Sequence, residues 1–250
     1  MSTLLLRLAG PMQSWGMKGR FTRRTTELQP TKSGIVGLLA AAVGRRRTDP
    51  VEDLAGLRMG VRVEQPGRLL RDFQTASRVG VTAPLSYRYY LSDAIFLAAV
   101  EGSEELLSGI ESALYAPKFP LYLGRRAFPP AGELSLGVHA QTMPEVLATT
   151  PWKASKMVMR STSSPEVTLR VVRDTEPDEE STDVFEDVPI SFDPNRRLFG
   201  SRPVVEYWAR RPNPELADSL TRHGPGASGG RSTAHDPMGY LGGAHVPQQM

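Results

Sequence analysis

The 250-residue sequence predicts an α+β fold. Three observations carry this: apolar runs at strand spacing between Gly/Pro turn signals, two segments with apolar residues at helical spacing, and an apolar fraction of 40% that supports a packed core. Residues 3–9 (TLLLRLA) read as a buried opening strand, ended by Gly10 and Pro11, with a polar, basic, irregular stretch to Thr31. Residues 33–43 (SGIVGLLAAAV) have helical spacing, Thr31 or Ser33 as a cap and Gly44 as a stop. Residues 53–57 suggest a short turn, and residues 58–64 (RMGVRVE) alternate with period two. A further strand, 68–75, follows the Pro66-Gly67 turn signal.

Residues 78–88 read as a hairpin excursion, and 89–100 (YYLSDAIFLAAV) as one long strand. Residues 103–114 form a helix with Ser103 as cap and Glu104 and Glu105 in the first turn, where the helix dipole favours acids; Pro117 stops it. With a closing strand near Leu121, the order is that of a ferredoxin-like (RRM-related) sandwich, an order that other α+β folds also allow. Beyond Pro130 the texture changes. Strands are expected at 133–141, 167–173, 188–192 and 204–208, a helical turn at 143–148, and a solvated acidic loop at 174–187. From residue 211 the chain is rich in Pro, Gly, Ser and Ala and reads as a disordered tail. The division is 1–131, 132–210 and 211–250.

The chain has no cysteine, which removes disulfides, thiolate catalysis and thiolate metal sites and fits a reducing cytoplasm. No run approaches the ~18 apolar residues of a membrane span, and residues 1–10, polar at Arg7, are too short for a secretory signal. The net charge of +3 is unevenly spread: residues 1–130 hold 18 Lys/Arg against 11 Asp/Glu, and residues 131–190 hold 5 against 11. A basic first half is the electrostatic footprint of a polyanion binder, although many ordinary domains share such a surface.

Residues 13–24 (QSWGMKGRFTRR) gather Gln13, Trp15, Lys18, Arg20, Arg23 and Arg24 with Phe21. Cations neutralise phosphates while aromatic faces stack on unpaired bases; the plainer reading is a basic loop with its aromatics in the core. Thr31, Lys32 and Ser33 at a helix start suit a phosphate through free N–H groups and the positive dipole end, or serve as an ordinary cap. The Walker spacing is absent. In LLRDFQTA (residues 69–76), strand alternation puts Arg71, Phe73 and Thr75 on one face and Asp72 and Gln74 on the other, either toward RNA or with Phe73 in the core.

Four segments occur in one order: LLLRLAGPMQSWG (4–16), PTKSGIVGLLAAAVG (30–44), LLRDFQTA (69–76) and PLYLGRRAFPPA (120–131). In these the sequence resembles the CasD family, the type I-E form of the fifth Cas protein family within the RAMP superfamily. The resemblance implies a ferredoxin-like RAMP domain with a β-hairpin thumb, here about 76–90, and additional C-terminal strands. It implies a grip on the 5′ handle of crRNA and contacts with the backbone and large subunits of Cascade, target DNA being bound by the assembled complex. No cofactor, small-molecule substrate or membrane is implied. Arg78 and Arg88 flank the thumb, beside Tyr87, Tyr89 and Tyr90. Gly124-Arg125-Arg126 resembles the RAMP glycine-rich loop, where a glycine turn presents two guanidiniums that fork onto phosphate oxygens.

In a sister subtype the corresponding protein cuts precursor RNA itself, so a metal-independent endoribonuclease is the alternative. Such cleavage needs a base and an acid near neutrality, usually histidines. Of four histidines, His223, His235 and His245 fall in the tail, leaving His139 without a second. Tyr87 with Lys18 or Lys32 is the remaining combination, and no spacing demands it. The expectation is a non-catalytic RNA-binding subunit.

Overall fold

The computed structural model describes residues 1–16, 23–75 and 85–216. Strand β1 (Ser2–Ala9) is buried on both faces, as its run of leucines requires. Two short strands follow, β2 (Met12–Gln13) and β3 (Arg23–Arg24). Helix α1 (Lys32–Val43) begins where the Thr31 side chain accepts the Gly34 N–H, and stops at Gly44 in the left-handed conformation (φ 86°). A single turn, α2 (Glu52–Ala55), leads to β4 (Arg58–Gln65), β5 (Arg68–Thr75), β6 (Leu85–Ser92) and β7 (Ile95–Gly102). Helix α3 (Glu104–Tyr115) is capped by Ser103, which accepts the Leu106 N–H. Next come β8 (Ser135–His139), α4 (Met143–Thr149) and α5 (Lys156–Ser161). Three long strands finish the described chain: β9 (Glu166–Asp174), β10 (Asp183–Ser191) and β11 (Leu198–Pro212).

The order β1-α1-β4-β7-α3-β8, with neighbouring strands antiparallel in the sequence β4-β7-β1-β8, is the ferredoxin-like arrangement. The sheet is covered twice. Leu4, Leu6, Leu8, Phe96, Ala98 and Val100 face α1 and α3, whereas Leu5, Leu97 and Ala99 face α4. Burial on both faces is why β1 and β7 read as continuous apolar runs rather than alternating ones. The last three strands extend this same sheet: β9 pairs with β4, giving seven strands in the order β10-β11-β9-β4-β7-β1-β8. Among the described residues no helix is long and apolar enough to cross a membrane.

Four expectations change. No strand forms near Leu121; prolines 117, 120, 129 and 130 deny ladder donors there, and Leu123 and Phe128 instead plug the core from a loop. The closing strand is β8, so the ferredoxin-like unit passes residue 131. The single strand at 89–100 is two, broken at Asp93, which has φ 55° and donates its N–H to the Pro11 carbonyl at 3.1 Å. Ordered structure also runs past residue 211: Asn213 is buried and donates through its side chain to the carbonyls of Met159 (2.9 Å) and Thr162 (3.0 Å). Residues 217–250 lie outside the described residues.

The fourth change concerns the acidic stretch. Its ends are not solvated: Asp174 and Asp187 are 8% and 1% exposed. Arg202 of β11 donates from Nε and Nη2 to Asp187 at 2.6 and 3.0 Å, and from Nη1 to Asp174. Lys32 contributes its ammonium to Asp174 at 3.1 Å and its backbone N–H to Asp187 at 2.7 Å. Met59 N–H completes Asp174 at 2.9 Å. Burial opposes the charge on Arg202, but the two carboxylates outweigh it and raise its pKa above the ordinary value.

Removing one member of a buried pair strands the other. Arg202→Met is therefore expected to lower unfolding stability by about 3–5 kcal/mol, read as a shift of the urea midpoint. A shift within experimental error would show that the cluster does not hold the sheet extension to α1.

Candidate nucleic-acid interface

Strands β5 and β6 leave the main sheet as a hairpin continuing β4 and β7. The bend is set by Gly67 (φ 71°), where a Cβ would lie 2.3 Å from the Ser92 carbonyl oxygen, so only glycine fits. Full antiparallel register from Arg68↔Ser92 to Thr75↔Leu85 fixes two faces. One carries Leu70, Tyr90, Asp72 and Arg88; the other carries Leu69, Arg71, Phe73, Thr75, Leu85 and Tyr87.

The first face meets the loop after Leu123. Gly124 has φ 83°, and a Cβ there would fall 1.7 Å from the Ser14 carbonyl oxygen. The turn is tied down by Ser14 N–H to Leu123 O (3.1 Å), Leu123 N–H to Phe128 O (2.7 Å) and Phe128 N–H to Arg125 O (2.9 Å). It places the Arg125 guanidinium 4.8 Å from the centre of the Tyr90 ring, which is itself held edge-on by Phe128 at 5.0 Å. Arg125 Nη2 also reaches the Arg24 carbonyl at 3.4 Å. β3 pairs in parallel with β6, setting Arg24 opposite Arg88.

Three cations thus converge at the hairpin base. Burial, reinforced by Arg88 and Arg24 and opposed by Tyr90, lowers the Arg125 pKa below the usual arginine value. Arg88 Nε and Arg125 Nη1 are buried without a hydrogen-bond partner. Among the described residues no carboxylate pairs with Arg24, Arg88 or Arg125. Asp72, opposite Arg88, spends its oxygens on the Phe73 N–H (2.8 Å) and Gln74 Nε2 (3.1 Å). Arg88 and Arg125 are partly desolvated and short of acceptors, with the exposed Arg24 repelling them, and guanidiniums so placed gain most from a phosphate. Arg126 is exposed beside them.

The opposite hairpin face is apolar and open. Phe73 is 69% exposed rather than in the core, and Arg71 lies 5.6 Å from the Tyr87 ring centre. Exposed aromatic rings of this kind offer stacking surfaces to unpaired bases.

Five sequence candidates are structural instead. Gln13 is fully buried, donating to the carbonyls of Leu8 (3.2 Å) and Ala94 (2.7 Å) and accepting from Trp15 Nε1 (3.0 Å). Trp15 is 1% exposed and packs so closely on α1 that a Cβ at Gly34 would be 2.7 Å from its ring. Thr31 and Ser33 are buried at the helix cap, and Lys32 is consumed by Asp174. The phosphate-like ligand of that helix start is the chain's own Asp187. Lys18, Arg20 and Arg78 lie outside the described residues; Arg23 is placed by its backbone pairing with Tyr87, and Thr75 is exposed at the far end of β5. His139 Nε2 lies 3.2 Å from the Leu136 carbonyl on β8. Tyr90, named from the sequence only as flanking the thumb, is the platform under Arg125; nothing local signals it, because Arg125 is 35 positions away.

An antiparallel ferredoxin-like sheet carries a cationic hairpin beside a glycine-arginine turn, which defines an α+β scaffold with a candidate polyanion surface. The sequence profile of the CRISPR-associated protein (Cas_Cas5) family matches residues 3–205, and the chain belongs to that family. It is 34% identical over 169 residues to the CRISPR system Cascade subunit CasD of Escherichia coli (strain K12), covering 58% of this chain and 74% of that protein. A solved chain from a CRISPR RNA-guided surveillance complex superposes with a TM-score of 0.68 at 33% identity, covering 84% of this chain and 91% of the other. A crystal structure of a Cas protein gives a TM-score of 0.66 at 39% identity, covering 85% and 96%.

Gly124→Ala is expected to cost at least about 1–3 kcal/mol, because left-handed backbone and a backbone clash are combined. Gly109→Ala, with open space around its Cβ on α3, serves as the control and is expected to be neutral or slightly stabilising. Equal urea midpoints for the two variants would show that the 124–126 turn is not pinned on Ser14.

Proposed function

We propose that this chain is a non-catalytic, RNA-binding subunit of a type I-E Cascade complex, holding the 5′ handle of crRNA at the base of the β5/β6 hairpin and contacting the backbone and large subunits. The observation that carries it is the trio Arg24, Arg88 and Arg125, which meets no carboxylate among the described residues, with Arg126 alongside. Family membership and the two Cascade-related likenesses support the assembly; the trio supplies the chemistry for a polyanion. Arg71, Phe73 and Tyr87 add a stacking face on the other side of the hairpin. The cytoplasm is the compartment in which such a complex meets its guide and its targets.

Non-catalysis is supported by where the candidate acids and bases lie. His139 is turned to a strand carbonyl on β8, and Lys32 is sealed against Asp174, leaving Tyr87 without that lysine as a partner.

Titration of labelled repeat-derived RNA across salt tests both claims. Arg88→Ala and Arg125→Ala are each expected to weaken binding and lower the salt slope by about 0.7, the value for one single-strand phosphate contact. Arg46→Ala, a cation away from the hairpin, is expected to change neither. Unchanged slopes in the first two variants would remove the site assignment, and specific metal-free cleavage of the RNA by the wild-type chain would remove the non-catalytic reading.

A further inference from the structure

A pocket of about 180 Å³ opens beside the start of α1, lined chiefly by Glu27, Leu28, Gln29, Arg170, Phe185 and Asp187. Two of its three charged residues are already neutralised. Arg170 is held by both oxygens of Glu206 (2.7 and 2.6 Å) and by Gln29 Oε1 (3.0 Å). Asp187 is saturated by Arg202 and the Lys32 N–H. Glu27 is different. Its backbone N–H is fixed on the Trp15 carbonyl at 2.6 Å, yet its carboxylate has no hydrogen bond or ion pair among the described residues. Burial, and then the charge of Asp187, raises its pKa above the ordinary carboxylate value.

Beside these paired polar groups, the wall around this carboxylate is apolar and open. Leu28 is 63% exposed and Phe185 half-buried at the wall, while Trp208, directly across the strand register from Arg170, is 62% exposed. A net negative, partly desolvated group in such a wall repels a phosphate chain. A divalent cation is not favoured either: among the described residues no group of three His, Asp or Glu side chains could hold one. What fits is a cation with an apolar stem, and proteins supply that as arginine or lysine.

We propose that this pocket is the socket for an arginine or lysine side chain of another protein subunit, with Glu27 receiving the head, Leu28 and Phe185 the stem, and Trp208 covering the flank. This rests on the Cascade reading, since it needs a subunit to supply the cation. The chain therefore presents two recognition surfaces of opposite sign, an arginine cluster for the guide and an acidic socket for a protein. Glu27 and Arg24 are three residues apart, so one short segment serves both.

The test is co-expression with the other Cascade subunits and guide, with p-benzoylphenylalanine in place of Leu28 for photo-crosslinking, and with the variants Glu27→Lys and Glu27→Gln. The expected adduct is to another protein subunit next to an arginine or lysine. Glu27→Lys is expected to weaken retention of that subunit about tenfold or more, with Glu27→Gln intermediate, guide RNA retained and the melting temperature preserved. Reversing the charge of the crosslinked partner residue is expected to rescue Glu27→Lys. Adducts to RNA, to residues 17–22 or 217–250 of this chain, or to no partner would overturn the proposal; if Glu27→Lys fails to fold, the crosslink decides alone. Should the wild-type chain not co-purify with the other subunits, the Cascade reading falls too. Should it co-purify with guide while Glu27→Lys does so equally, only the socket falls.

Discussion

Asp174 and Asp187 sit between β9, β10 and the start of α1, shielded from water, and each is met by Arg202 and by a donor of Lys32. Burying two carboxylates alone is prohibitive, and burying two cations alone is equally so. Joined, they register four parts of the molecule at one point: the α1 N-terminus, the end of β9, the middle of β10 and β11. Met59 N–H brings in β4 as well. Alternating burial already opposes a one-residue slip, and this cluster adds a polar match that the observed register of the three added strands makes. A second sealed pair makes the equivalent join on the α4 side, where Arg62 and Glu64 are fully buried and Arg62 also donates to the carbonyls of Leu147, Thr150 and Pro151.

That rigid frame is what lets the hairpin be polar and exposed. β5 is largely exposed and β6 buries only Tyr90 and Leu91, and their positions follow from the bend at Gly67 and Asp93 and from the docking of Tyr90 on Phe128. The 124–126 turn is placed against the same hairpin through Ser14. Short-range backbone constraints therefore aim the arginines, and the sheet behind them supplies the stiffness.

Much of this was legible in the sequence. The helices around Ile35 and Leu107, their caps at Thr31 and Ser103, the stop at Gly44 and the strand after Gly67 are local signals, and local signals survive in one dimension, whereas the hairpin read at 78–88 is built on a pairing that reaches back to Arg68 and Ser92. The ferredoxin-like order followed from them, except that the proline-rich loop around Leu121 imitated a strand and displaced the true closing one. The candidate site was visible only as separate local signals. Arg24, Arg88, Gly124 and Arg125 stood out as cations or turn residues, and the structure brings them together. Lys32 and Trp15 belong to the same local pattern and proved structural, because what decides their role is a partner more than a hundred positions away or a glycine on a packed helix. No spacing rule reports that Asp187 caps a helix 155 residues earlier.

The uneven charge of the chain finds its explanation in the same contrast. Half of the eight acids in the 174–187 stretch belong to the frame: Asp174, Glu176, Glu179 and Asp187 pair with Lys32, Arg58, Arg173 and Arg202, while Asp178, Glu180 and Asp183 are exposed. The contact between Arg173 and Glu179 is strong enough to lower the Glu179 pKa to about 2, so it keeps its charge in anything but strong acid. These acids neutralise the cations of the frame and leave those at the hairpin base alone. A carboxylate placed beside Arg24, Arg88 or Arg125 would neutralise the local positive charge that these three build up together. Segregation of charge along the sequence thus becomes, after folding, a division between cations that hold the frame together and cations that no carboxylate meets among the described residues.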